Sequence, residues 1–178
     1  ILDSEDQLRM VKRVLKGLDL DESRWPPRQA QHFINAQKDK GLRPQHLDDS
    51  GDPVNRQLIR IYSAYEAACN RAGVVDFAEL LLRSHELWLN NPELLSHYRE
   101  RFRHILVDEF QDTNAIQYAC VRMLVGTDNH LFVVGDDDQS IYGWRGARVE
   151  NIHDVQSDFP NVNLIRLEQN YRSSGNIL

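Results

Sequence analysis

The chain has 178 residues, 41% of them hydrophobic, and a formal net charge of −6. That is enough apolar material for one domain of ordinary size or two small ones. No basic-then-apolar amino terminus occurs, and no apolar stretch approaches the roughly 20 residues of a bilayer span, so the expectation is a soluble, cytoplasmic chain with no membrane contact. Cys69 and Cys120 stand far apart without ligand spacing, which points to reduced core thiols. The acidic balance argues mildly against a nucleic-acid partner. The charge is uneven, however: all four lysines (Lys12, Lys16, Lys38, Lys40) precede residue 41, and the second half is rich in aspartate, which suggests two functional regions.

In chain order, Ser4 with Gln7 is a capping-box pattern, and Leu8, Val11, Leu15 and Leu18 follow at helical spacing. Trp25-Pro26-Pro27 breaks that helix. A second helix starts at Pro27 or Arg28, where proline is tolerated, and stops at Gly41. Residues 42–54 read as loop. Leu58, Ile61, Tyr62, Tyr65 and Cys69 mark a third helix ending at Gly73; Asp76 with Glu79 caps a fourth, and Pro92 opens a fifth. Lys38, Lys40 and Arg43 are read as a solvated face, with contact to a DNA backbone as the alternative.

After residue 103 the rhythm changes. Short apolar runs at 104–107, 131–134 and 162–167 alternate with helical patterns at 116–125 and 149–159. Strands alternating with helices indicate an α/β fold with a parallel sheet, whose ligands bind outside the carboxyl ends of the strands.

The acidic residues fall at those ends. Asp108-Glu109 follows the first run, and rigidly held adjacent carboxylates suit Mg²⁺ on Asp108 and activation of an attacking water by Glu109. A loop start that caps the next helix is the plain alternative. The segment 135–147 after the second run combines the neutral amide of Gln139 with Tyr142, Trp144 and Arg145. Such rings stack on any base, contributing on the order of 1–3 kcal/mol each, unless they are core aromatics beside a solvated aspartate loop. Arg172, after the third run, has the chemistry of a γ-phosphate finger. A surface salt bridge is its default role.

Taken together, Asp108-Glu109-Phe110-Gln111-Asp112-Thr113, the run from Gly135 to Ala147, and Gln169-Asn170-Tyr171-Arg172-Ser173 resemble motifs II, III and IV of the UvrD/Rep family of superfamily 1 DNA helicases. The segment 75–81, Val-Asp-Phe-Ala-Glu-Leu-Leu, is similar to the end of that family's helical insertion domain. The resemblance implies a helical insertion domain over residues 1–100 and the central part of a RecA-like ATPase domain over 101–178. It implies ATP and Mg²⁺ as cofactors, with Asp108 on the metal, Glu109 as base, and Gln139 and Arg172 on the γ-phosphate as the catalytic set. It also implies that Phe77, Tyr142, Trp144 and Arg145 line the path of single-stranded DNA, although a Phe at the start of an amphipathic helix is more often core. The partners it implies are single-stranded DNA, single/double-strand junctions and repair proteins, and the activity it implies is 3′–5′ DNA unwinding.

The phosphate-binding loop of such a motor ends in Gly-Lys-Thr or Gly-Lys-Ser. No Gly-Lys occurs and no lysine follows Lys40, so the expectation is a fragment lacking that loop and the second motor domain, inactive alone as an ATPase. Two rivals stay open: a metal-dependent nuclease built on Asp108, Glu109 and Asp136, and a module that only binds DNA or a protein. His85-Glu86-Leu87-Trp88-Leu89 begins like a zinc-protease helix but lacks the second histidine.

Overall fold

The computed structural model describes residues 1–143 and 146–176. The helical periodicity of the first hundred residues yields five helices: α1 (Ser4–Gly17), α2 (Pro27–Asp39), α3 (Pro53–Ala72), α4 (Phe77–Asn90) and α5 (Pro92–Arg101). Proline opens three of them, at the position where its missing N–H costs nothing. Gly73 ends α3 at φ 64, a left-handed conformation that a Cβ would strain. The predicted Ser4/Gln7 cap is not the one used. Asp3, one residue earlier and extended, accepts from the Asp6 amide at 2.8 Å, which frees Gln7 to turn inward, where it is 3% exposed.

The stripes on α1, α2 and α3 close on one another. Val11, Leu15, Ile34, Ile61, Tyr62 and Tyr65 are fully buried there, each contributing roughly 1.5–3 kcal/mol of burial. Cys69 and Cys120 are buried free thiols, and burial pushes the Cys120 thiol up to about 11. No helix among the described residues is long and apolar enough to cross a membrane.

Beyond α5 the chain forms β1 (His104–Val107), α6 (Ala115–Leu124), β2 (His130–Val133) and α7 (Glu150–Asp158). The strands pair in parallel, in register from His104↔His130 to Val107↔Val133, as the alternation of elements predicts. Val107 and Val133 face inward against Phe110, Tyr118 and Val155. Leu106 and Phe132, paired across the strands, stay 73% and 58% exposed on the other face. α6 also packs against α2, α4 and α5, joining the strands to the helices before them.

The third predicted strand, 162–167, does not form. Its backbone pairs with neither edge of the two-stranded sheet, and Ile165 and Leu167 are 76% and 90% exposed. β-propensity is a preference for a pleated, half-buried surface more than an intrinsic backbone preference; unpaired with either edge and exposed, this run remains irregular.

Candidate functional site

The β1–β2 ladder continues into the loops beyond it. The Val134 amide donates to the Val107 carbonyl at 2.8 Å, and the Phe110 amide donates to the Val134 carbonyl at 2.9 Å. These bonds draw the segments 108–112 and 134–139 together at the carboxyl ends of both strands.

Asp108 is exposed, and one of its oxygens accepts from the Glu109 amide at 2.9 Å. Glu109 takes a left-handed backbone, φ 49 and ψ 43. For a non-glycine residue that costs on the order of 1 kcal/mol or more, which aims successive carboxylates in different directions. The Glu109 carboxylate accepts from the Gln111 side-chain amide at 2.7 Å. Gln111 is 1% exposed, and its carbonyl oxygen accepts from the Asp136 amide at 3.1 Å. Gly135 lets that carbonyl approach, since a Cβ there would lie 2.9 Å from it. Asp136 in turn accepts from the Gln139 side-chain amide at 2.6 Å and from the Asp138 amide at 3.1 Å. Glu109, Gln111, Asp136 and Gln139 therefore form one chain of hydrogen bonds across the two strand ends.

The sequence reading assigned no role to Gln111 or Asp136 in joining the loops. The close spacing of Gln111 to the carboxylates was the available signal, but its partner lies 25 residues away.

Arg172 sits in the exposed stretch after residue 160, its amide donating to the Asn170 side chain at 2.9 Å. Among the described residues its side chain makes no hydrogen bond or ion pair with Asp108, Glu109 or Gln139. Trp144 and Arg145 lie outside the described residues. Tyr142 is half-buried, and its carbonyl accepts from the Ala147 amide at 3.3 Å. The carboxylates that come within ligand reach of one another among the described residues are Asp136, Asp137 and Asp138, all exposed. Asp108, Glu109 and Asp136 form no such group among the described residues.

Phe77, the first residue of α4, is 63% exposed and no core aromatic. It borders a cavity of about 320 Å³ that it shares with Asp39, Asp76 and Asn114. A larger one of about 600 Å³, also reaching Asp39, is walled by His32, Lys40, Gly146 and Arg148. The Asn114 side chain donates to Asp39 at 3.0 Å between them. A groove thus runs from Phe77 along the end of α2 to the segment that follows residue 145. Burial first, and then the charge of Asp76, raise the Asp39 carboxyl above its ordinary range.

Behind Phe77 the predicted solvated face is absent. Lys38 is 2% exposed and Arg43 8%. The Lys38 ammonium meets Asp76 at 2.7 Å and Glu79 at 2.8 Å, while Arg43 grips Glu86 through two nitrogens at 2.7 Å and reaches Glu66 and Glu79. Four acidic partners draw both cations inward and away from any DNA backbone; Lys40 alone of the three stays exposed.

The model of the UvrD/REP helicase N-terminal domain matches residues 1–160, and the chain belongs to that family. It is 65% identical over its whole length to DNA helicase II of Escherichia coli, 56% to DNA helicase II of Haemophilus influenzae, and 40% to the ATP-dependent DNA helicase PcrA of Leuconostoc citreum. It spans about a quarter of the length of these relatives, 25%, 24% and 24% respectively.

Proposed function

We propose that this chain is part of a motor that hydrolyses ATP to move 3′ to 5′ along single-stranded DNA and open duplexes, in cytoplasmic DNA repair or replication. Residues 1–100 act as its helical insertion and 101–178 as the central part of a RecA-like ATPase domain. The observation that carries this is the hydrogen-bonded chain from Glu109 through Gln111 and Asp136 to Gln139, which ties a carboxylate suited to water activation to the loop that also bears Tyr142. The family and its helicase relatives support the same reading.

Asp108, an exposed hard-oxygen donor with one carboxylate oxygen turned to its neighbour's amide, fits Mg²⁺. The ion would supply charge neutralisation at the β and γ phosphates. Glu109 takes the proton of the attacking water, Gln139 hydrogen-bonds the γ-phosphate without adding charge, and Arg172 contacts that phosphate once the stretch 160–176 is drawn to the sheet. Phe77, Tyr142, Trp144 and Arg145 hold the bases. On its own the chain binds DNA and does not turn over ATP. Junction DNA and repair proteins are the expected partners of the whole polypeptide.

The test is Glu109→Gln in the full-length polypeptide. ATP turnover should fall by at least about 10² while nucleotide binding by equilibrium titration stays within about twofold. Turnover near the unsubstituted rate removes Glu109 as the base.

A further inference from the structure

Phe77 is held from behind by a charged cluster that burial alone does not explain. Asp76, the N-cap of α4, uses one carboxylate oxygen to accept the Glu79 amide at 2.7 Å. Its other oxygen accepts from Lys38 of α2 at 2.7 Å, from the Tyr65 hydroxyl of α3 at 2.7 Å and from Gln7 of α1 at 3.3 Å. The backbone just before the cap is pinned as well, with the Leu2 amide donating to the Val75 carbonyl at 2.7 Å. Three helices and the amino-terminal segment therefore converge on the residue immediately preceding Phe77. Lys38, Asp76 and Glu79 are all at most 3% exposed, yet Phe77, one bond further on, is mostly exposed.

A buried ion pair is weak evidence for stability, because desolvation offsets the attraction, and apolar side chains of similar volume often hold such a site as well or better. What charge and hydrogen bonds supply that apolar packing does not is a single direction. Rotation of the α4 N-terminus would break at once the three bonds that Asp76 accepts from Lys38, Tyr65 and Gln7.

We infer that Lys38, Tyr65 and Asp76 are positioning residues that fix the angle at which Phe77 stands over the groove to receive a base of single-stranded DNA. This rests on the reading of Phe77 as a DNA contact.

The experiment is fluorescence anisotropy of a labelled oligo-dT with the whole chain, run as a double-mutant cycle. Phe77→Ala removes the ring and should weaken binding roughly tenfold. Lys38→Met combined with Asp76→Asn removes the ion pair but leaves an N-capping side chain. It should weaken binding to a similar extent when measured well below its melting temperature, which the loss of the Lys38–Glu79 pair lowers. Added to Phe77→Ala, the pair should weaken binding no further, because the network acts through the ring. Tyr65→Phe, which deletes one hydroxyl, should weaken binding about twofold and serves where the double variant does not fold. Phe77→Ala weakened with both network variants binding normally overturns the inference and leaves the DNA reading intact, as does additivity in the triple variant. Phe77→Ala binding normally, or no binding by the unsubstituted chain, overturns the DNA reading of Phe77 and this inference with it.

Discussion

Gln111 uses both ends of its side chain, donating to Glu109 and accepting from the Asp136 amide while nearly fully buried. Gln111→Leu keeps most of the volume but leaves that amide without its acceptor. The expected loss is about 1–3 kcal/mol, read as a lower urea midpoint with unchanged slope, and an unchanged midpoint would show that the two loops hold together without it. The carboxylates were legible in sequence because Asp108-Glu109 and 136–138 follow apolar runs, a local pattern. The joint between them was not, since nothing near Gln111 announces that Gly135 will leave room for its carbonyl. Phe77 shows the converse: helical spacing alone put it in the core, and only the tertiary placement of α4 exposes it.

At the scale of an element, α4 concentrates charge: its Glu79 meets Lys38, Arg43 and Arg83. Burial alone would raise the Glu79 carboxyl, but Lys38, Arg83 and Arg43 hold it down at about 2. A folded-state value below the unfolded 4.5 stabilises the fold at pH values above that unfolded value. The contribution is lost as pH falls from about 5 to about 2. At about 1.4 kcal/mol per unit the whole effect is on the order of 3 kcal/mol. Thermal melts should therefore drop steeply over that window. Glu79→Gln should melt lower at neutral pH and with a flatter acid limb; an equally steep limb would mean that other carboxylates carry the acid transition. The cap of α4 was readable from Asp76 and Glu79 because it closes over three residues. Its cationic partners were not, because Lys38 lies 38 residues from Asp76 and a helical lysine ordinarily faces water. The run 162–167 fails for a related reason: local β-propensity does not by itself bring a segment to a sheet edge and bury it there.

Over the whole molecule the net charge is −6, and the helical body has spent two of its cations, Lys38 and Arg43, on internal carboxylates. Of the charged groups that wall the groove among the described residues, Lys40 and Arg148 are the cations and Asp3, Asp39 and Asp76 the acids. A backbone crossing such a surface meets little positive field, so stacking on aromatic side chains must carry most of the affinity. On the proposed reading this inverts the usual electrostatic footprint of a nucleic-acid protein. The consequence is measurable in the salt dependence. With two phosphates neutralised, the slope of log K against log salt on single strands should be about −1.4. Lys40→Ala or Arg148→Ala should each reduce it by roughly 0.7, whereas Phe77→Ala should lower affinity without changing the slope. A slope several times steeper would place many phosphates on the protein and transfer the affinity from rings to charges.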